Sequence, residues 1–280
     1  MAAITTTTWA VAIEELWTPE LNRAVEFDTV IMPLFEDKTA WLRTGDTARL
    51  PSRHNLTAST KTAGTDLTPE AITETDQTFQ VTTHQATAVQ VEDIAEIQSK
   101  YDIRNEQTVA SGYALARAQD VSAAALLDDN TTQTVGTLAA ELTDDNLIRA
   151  QQYLVESSAP ERRSTVVAPA TYSGFLKLDK FVNQLYNGDQ SGRAVNRAQV
   201  GMIYGSTVFQ SNLTVGTSPN SSGHMFAFGH FIKIVQRKPT VHVTYEPLAL
   251  AFVVTMDQIY GAFERQEADE AAAATTNARL

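Results

Sequence analysis

The sequence contains no cysteine. Disulfide bonds and metal sites built from thiolates are therefore excluded. Long apolar runs are missing too, since the longest, residues 248–256, is too short to span a bilayer. The first twenty residues also lack the basic segment and long apolar run of a signal peptide. We expect a soluble protein that is made in a cytoplasm and has no membrane partner.

Basic residues are few. Lys and Arg number 21 against 33 Asp and Glu, which gives a net charge of −12, and no run of Lys or Arg occurs. A protein that grips duplex DNA normally carries a basic patch. The composition therefore argues against specific DNA binding, although it allows a protein that encloses DNA without gripping it.

Motifs for chemistry are also scarce. No serine lies in a GxSxG pattern, and no HExxH occurs. His224 and His230 would lie on one face of a strand at roughly 20 Å separation, too far apart for one ion, and His242 follows separately. The acidic pairs at residues 128–129 and 144–145 stand beside helix ends or turns, where Asp is common as a cap. We expect no cofactor, no metal and no catalytic site.

Large apolar side chains are abundant in the first forty residues. Trp9, Ile13 and Trp17 recur at helical spacing before Pro19 interrupts the pattern. These groups need a surface to pack against. Either the segment is a helix docked on its own domain, or it is an arm that docks on a neighbouring copy.

A threonine-rich segment follows, with eleven threonines among residues 57–87. It has too few large apolar residues to build a core, yet threonine favours extended strands. We interpret it as a long two-stranded excursion, with a flexible linker as the alternative. Its apolar residues would then contact an adjacent subunit: Leu67, Ile72 and Phe79.

Residues 103–129 predict one long helix, because they contain strong helix formers and no proline. One apolar face is predicted from Val109, Tyr113, Ala116, Ala123 and Leu127. Asp120 falls on this face, where Arg117 could pair with it. Thr143 predicts the N-cap of a second helix, and residues 164–168 predict a strand that leads into Pro169. The tail, residues 264–280, would fray or dock as a short helix.

Two glycines interrupt the strand-like stretch "VGMIYGSTVFQSNL". Gly201 and Gly205 fit neither a dinucleotide fingerprint nor a P-loop, because strand-forming residues follow and no lysine is near. The stretch therefore predicts two strands that reverse direction at Gly205. Two further cationic features, Arg162 with Arg163 and the loop residue Lys61, are interpreted as solvated or inter-subunit charges.

The order of these parts resembles the major capsid proteins of tailed double-stranded DNA bacteriophages, with the α+β Hong Kong 97-type fold. "ERRSTVVAPATYSGFLKLDKF" resembles their helix–strand–Pro–helix stretch, and "VGMIYGSTVFQSNL" resembles a stretch of their axial domain. The resemblance implies an N-terminal arm at residues 1–40 and an extended loop at residues 41–90. It implies a peripheral domain at residues 91–134 and 241–280, and an axial domain at residues 135–240.

The resemblance also implies partners. These are copies of the chain itself in hexamers and pentamers, a separate scaffolding protein, a portal and, in some members, a decoration protein. Some members join a loop lysine to an asparagine of a neighbour, a role that Lys61 could match, although we expect non-covalent closure. The protein would reside in the virion after assembly in the host cytoplasm, enclosing DNA without binding it specifically.

Two alternatives remain open from the sequence. An encapsulin-type nanocompartment shell protein shares the same fold. A soluble α/β hydrolase belongs to another class, and the missing nucleophile motif and the threonine-rich excursion argue against it.

Overall fold

The protein is described here by a computed structural model covering residues 29–52, 56, 58–67, 69–71, 75–99, 102–129, 133–137, 142–156, 162–175, 199–214, 222–265 and 277–279. Helices and sheets are mixed along the chain, which confirms the predicted α+β class. Short 3-10 turns occur at Met32–Leu34 and Thr39–Trp41. The remaining elements, in chain order, are β1 (Glu36–Asp37), β2 (Thr47–Ser52), β3 (Thr75–Gln80), β4 (Thr83–Glu92), α1 (Asp93–Gln98), α2 (Ile103–Asp129), β5 (Gln133–Thr134), α3 (Asp144–Glu156), β6 (Arg163–Val167), α4 (Pro169–Phe175), β7 (Gln199–Ile203), β8 (Ser206–Gln210), β9 (His224–Ala227), β10 (Phe231–Glu246), β11 (Ala251–Glu264) and β12 (Asn277–Arg279).

A long sheet with the strand order β1-β10-β11-β4 carries helix α2 on one face. Strands β10 and β11 form an antiparallel hairpin, and β4 pairs antiparallel with β11. Gln258 of β11 is fully buried and donates a hydrogen bond to the Leu115 carbonyl of α2 at 2.9 Å. Tyr260 shares a 2.8 Å hydrogen bond with Ser122, and its burial raises the pKa of its hydroxyl. Polar groups thus lock the helix onto the sheet.

Helix α2 spans Ile103–Asp129, as the sequence predicts. The predicted apolar face is only partly correct: Ala123 and Leu127 are buried, but Val109 is 50% exposed. Alanines are distributed around the circumference of α2, so its sequence does not define a single apolar stripe. The sheet instead contacts a stripe that includes Ser111 and Leu115, which are buried.

The second sheet has six strands in the order β5-β12-β9-β6-β8-β7. Helix α3 packs on it through Leu147, Ala150 and Leu154, all fully buried. Thr143 precedes this helix as predicted, and its hydroxyl accepts a 3.4 Å hydrogen bond from the Asn146 N–H. This cap helps fix where α3 begins.

Strands β7 and β8 form the predicted reversal. They pair antiparallel and are joined by a two-residue turn at Tyr204 and Gly205. Both turn residues have positive φ, 47° and 78°, which suits a tight hairpin turn and which glycine adopts without strain. The glycine therefore serves chain reversal, as the sequence predicted.

The two sheets meet in one apolar cluster, which we call the junction core. The N-terminal segment, the end of α2 and strands of both sheets contribute to it. Phe35 stacks on Phe231 with ring centroids 5.3 Å apart, and both rings meet Phe226 edge-on. The buried members are Ile31, Met32, Phe35, Ala123, Ala124, Leu127, Val166, Phe226, Phe231 and Tyr260.

Asp120 holds the N-terminal segment on α2. Its fully buried carboxylate accepts three backbone hydrogen bonds, from Val30 at 2.6 Å, Ile31 at 3.1 Å and Met32 at 2.8 Å. The predicted pairing of Arg117 with Asp120 is therefore wrong. Both carboxylate oxygens are occupied by backbone N–H groups that are ninety residues away in the chain, and Arg117 is exposed.

The excursion is a hairpin at its base. Strands β2 and β3 pair antiparallel from Thr47↔Gln80 to Ser52↔Thr75, which favours the hairpin over the flexible linker. Phe79 is 1% exposed and lies between Trp41 and Phe263, at ring distances of 6.1 and 5.5 Å. The Phe79 side chain therefore belongs to the core of its own chain and is not exposed for the expected contact with a neighbouring subunit.

The expected domain limits at residues 90 and 240 lie within β4 and β10, two strands of the long sheet. The expected tail helix is not seen at residues 277–279, which form β12 between β5 and β9. Glu264 ends β11, and residues 266–276 and 280 lie outside the described residues.

Replacing Asp120 with Asn should strongly destabilise the protein. An amide keeps the volume but puts an N–H₂ group against buried backbone N–H donors, and each unsatisfied buried donor costs roughly 1–3 kcal/mol. We expect the free energy of unfolding in urea to fall by about 2–4 kcal/mol. The control is Asp129→Asn, at an exposed position on the same helix. Equal stability of the two variants would contradict this role of Asp120.

Candidate interaction surfaces

The far end of the long hairpin presents an apolar patch to solvent. Leu248 and Leu250 lie in the β10–β11 turn and are 96% and 64% exposed, while Ile94 and Ile97 of α1 are 60% and 83% exposed. We call these four residues the tip patch. Monomeric soluble proteins rarely leave clustered large aliphatic groups in water, so such a patch marks an interaction site.

The tip patch is held rigidly. The Asp93 N–H donates to the Leu250 carbonyl at 3.0 Å, which joins the turn to the start of α1. The Tyr245 hydroxyl donates to the Asp93 carboxylate at 2.9 Å, and this hydrogen bond raises the pKa of Tyr245. Leu250 has a φ of +46°, a conformation that a branched side chain adopts at a cost. An exposed leucine kept in a strained conformation suggests a role for its side chain.

The distal part of the β2–β3 hairpin is the second exposed surface. Its described residues, 56, 58–67 and 69–71, are all exposed and form no strand. The chain turns at Ala63 and Gly64, where the Thr65 N–H donates to the Thr62 carbonyl at 3.2 Å. The β2–β3 register is centred on this same turn, so β2 and β3 form the base of a hairpin, and its described distal residues form no ladder.

The predicted inter-subunit contact residues fall into different parts of the chain. Lys61 and Leu67 lie on the exposed distal hairpin, where a neighbour could reach them. The other predicted contacts in the arm and loop lie outside the described residues: Trp9, Ile13, Trp17 and Ile72.

Arg162 and Arg163 have different environments. Arg162 is exposed, and its guanidinium lies 4.1 Å from the ring centre of Phe228. Arg163 is 8% exposed within β6, between Ser206 and Ala227 of the adjacent strands. An inter-subunit contact therefore remains open to Arg162, whereas burial in the monomer removes Arg163 from the expected contacts.

The remaining polar groups have local roles. His230 contacts Glu264 at 2.8 Å, His224 lies 3.8 Å from Asp128, and the Tyr204 hydroxyl donates to Asp144. Over the described part of the chain, no three acidic or histidine side chains are arranged to hold a metal ion. No helix there has the length and apolarity needed to cross a membrane.

A charged cluster spans three strands on the sheet face away from α2. Arg237 donates to Asp257 at 2.9 Å and to His242 at 2.9 Å, and His84 contacts Asp257 at 3.1 Å. A guanidinium can only donate, so Nε2 of His242 is the acceptor in this contact. This cluster ties β4, β10 and β11 together beside the irregular part of β10.

The tip patch was not predicted from the sequence. Residues 248–256 are its longest apolar run, and exposure of Leu248 and Leu250 in a turn was not expected. A signal existed, because Pro247 precedes two leucines that continue neither strand's alternation.

No protein-family model and no curated protein sequence matches the chain. Solved structures do. A structure from Mycobacterium phage Che8 is similar with a TM-score of 0.78 at 19% identity, over 95% of this chain and 96% of that one.

Two further structures match over similar lengths. The capsid structure of cyanophage P-SCSP1u has a TM-score of 0.75 at 16% identity, over 98% of this chain and 93% of that one. The mature capsid of bacteriophage PhiM1 has a TM-score of 0.71 at 16% identity, over 95% and 91%. This chain therefore has the Hong Kong 97-type fold of tailed-phage capsid structures.

Proposed function

We propose that the chain is the major capsid protein of a tailed bacteriophage. The observation that carries this proposal is the fold likeness over 95–98% of the chain to phage capsid structures. Copies of the chain would form hexamers and pentamers that close into an icosahedral head around double-stranded DNA. The protein would be assembled in the host cytoplasm, with a scaffolding protein and a portal, and would reside in the virion.

The uncovered surfaces of the monomer support this proposal. The tip patch leaves four large aliphatic side chains in water, and the described residues of the distal hairpin are all exposed. The described part of one chain covers neither surface, and both would be covered if many copies packed together.

The net negative charge of the chain supports a shell that encloses DNA without binding it tightly. The net charge of −12 repels phosphate on average, so a shell of this protein would hold the genome loosely enough for packing and release. We propose a structural protein rather than an enzyme, because the acidic pairs have structural environments. Asp144 and Asp145 lie in the first turn of α3, Asp144 accepts a hydrogen bond from the Tyr204 hydroxyl, and Asp128 lies 3.8 Å from His224.

The direct test is assembly of the purified protein, followed by negative-stain microscopy and sedimentation. The expected result is closed shells or rings of five and six subunits, with a scaffolding protein added if required. A protein that remained monomeric under all these conditions would contradict the proposed function.

Removing the tip patch should weaken assembly without unfolding the chain. The double variant Leu248→Ser with Leu250→Gly deletes two exposed leucines and relieves the positive φ at position 250. We expect an unchanged thermal midpoint, and a rise in the critical concentration for assembly of about tenfold or more, since burying one leucine is worth ~1.5–3 kcal/mol.

The matched control for the tip variant is Val155→Ser, which removes a 55% exposed apolar side chain from α3. It should assemble as the wild type does. If both variants assembled equally well, the tip patch would have no role in the shell.

Shortening the hairpin should separate folding from assembly. Residues 57–71 are replaced by an Asn-Gly turn, which keeps β2, β3 and the buried Phe79. The removed residues that are described are exposed, so we expect a change in unfolding free energy within about 1 kcal/mol and a loss of closed shells. Circular dichroism and light scattering measure the two effects.

Lys61→Ala is the control for hairpin shortening. This variant keeps the hairpin length and removes the lysine of the distal hairpin. Normal assembly is expected, because we propose that the shell closes without covalent cross-links. Normal shells from the shortened variant would show that the hairpin is dispensable.

A further inference from the structure

Helix α2 carries a second stripe besides the one that contacts the long sheet. Six residues at alternating spacings of four and three share one side of the helix, and we call them the lateral stripe: Val109, Tyr113, Ala116, Asp120, Ala123 and Leu127. The residues buried against the sheet, Ser111 and Leu115, lie on a different side of α2. The helix therefore has two sides that need a cover.

Only the C-terminal half of the lateral stripe is covered by described residues. Asp120 accepts the backbone N–H groups of residues 30–32, and Ala123 and Leu127 are buried in the junction core. In the N-terminal half, Val109 is half exposed, and Tyr113 and Ala116 are only partly buried. The cover thus stops where the described chain begins, at residue 29.

The lateral stripe faces strand β10. Its buried end lies in the junction core together with Phe231, the first residue of β10. From there β10 runs antiparallel to β11 toward the N-terminal half of α2. Val241 of β10 pairs with Met256, whose sulfur lies 3.9 Å from the position that a Cβ would take at Gly112 of α2.

Two valines of β10 extend the uncovered surface. Val241 and Val243 pair directly with Met256 and Val254, which are buried beneath α2. Directly paired residues lie on the same face of a sheet, so both valines are on the α2 side. They are nevertheless 42% and 56% exposed, and with Val109 they form an apolar surface on this side of the sheet.

The chain itself supplies an apolar segment next to this surface. Residues 18–28 lie outside the described residues, and their sequence contains Leu21, Val25 and Phe27. Because residues 30–32 are bound to Asp120, the residues that precede them are tethered beside the uncovered half of the stripe. Tethering gives a segment a high effective concentration at a surface it can reach.

The segment is long enough to cover the stripe. Val109 precedes Asp120 by eleven helical residues, a distance of about 16 Å. An extended chain crosses that distance with about five residues, and a helix needs about eleven. Residues 18–28 therefore reach Val109 in either conformation.

Charge also matches. Arg117 is exposed and lies one turn before Asp120, whose carboxylate is occupied by backbone N–H groups. Glu26 and Asp28 come shortly before Val30 in the chain. A segment that lies along the stripe would bring these carboxylates close to the Arg117 guanidinium.

We propose that residues 18–28 bind the N-terminal half of the lateral stripe of their own chain, with their apolar side chains against Val109 and the two valines of β10. The contact lies within one chain, so it does not depend on the proposed function. It divides the apolar N-terminal segment in two. Residues 18–28 complete the subunit, and the earlier residues Trp9, Ile13 and Trp17 are left for contact with another copy.

Disulfide cross-linking within dilute, unassembled chains tests this contact. The chain contains no cysteine, so introduced thiols are the only ones present. Val109→Cys is combined in turn with one cysteine at each of positions 20 to 27. After mild oxidation, a maleimide reagent that retards chains on a gel measures the thiols that remain in the monomer.

The matched control replaces Val109→Cys by Val121→Cys with the same partners. Val121 is a 49% exposed valine of the same helix that lies outside the lateral stripe and adjoins Asp120. We expect at least one position to link to Val109→Cys about tenfold faster than any links to Val121→Cys, because a disulfide requires Cα atoms within about 7 Å. A segment without a fixed position would link Val121→Cys at least as readily, since Val121 is nearer to the tether.

A second measurement compares the stability of Val109→Ser with that of Val121→Ser. The change in helix propensity is the same in both variants. We expect Val109→Ser to reduce the folding equilibrium constant by about tenfold relative to Val121→Ser, as for loss of a covered valine side chain. Urea unfolding of the unassembled chain measures the difference.

Three results would overturn the inference. Equal linkage of Val109→Cys and Val121→Cys would show that the segment does not bind the stripe. Equal stability of the two serine variants would show that Val109 is not covered. Disulfides that form only between chains, in mixtures of Val109→Cys chains with chains carrying one cysteine at positions 20 to 27, would assign the stripe to the N-terminal segment of another copy.

Discussion

The carboxylate of Asp120 fixes the arrangement on which the rest of the structure depends. It is fully buried in α2 and accepts the N–H groups of Val30, Ile31 and Met32. These bonds bring Ile31, Met32 and Phe35 into the junction core, where both sheets and the end of α2 meet. A buried carboxylate without such donors would be costly, so the segment and the helix stabilise each other. Residues 30–32 are therefore held at a fixed point on α2.

The fold leaves several surfaces uncovered among the described residues, including the tip patch, the outer edge of β4 and the distal hairpin. The tip patch lies at the end of the long hairpin, and the β4 edge runs beside it on the same sheet. The distal hairpin extends from a base whose Phe79 is anchored in the core. The described part of the chain thus leaves both an apolar turn and an exposed hairpin uncovered.

The fold is shared with capsid structures at 16–19% identity. Such divergence is compatible with one architecture because a core requires apolar side chains of suitable volume at the right period, and many sequences satisfy this requirement.

Local chemistry in the sequence determined several elements by itself. The limits of α2, the cap at Thr143 and the reversal at Gly205 follow from residues close together in the chain, through helix propensity, capping and turn geometry. The order of such parts also indicated the fold. Only the tertiary structure decided that Asp120 binds a segment ninety residues away rather than Arg117, that Phe79 is enclosed by Trp41 and Phe263, and that the leucines of the β10–β11 turn remain in water. These outcomes depend on which distant segments meet, and a periodic pattern specifies a buried face without naming the partner that covers it.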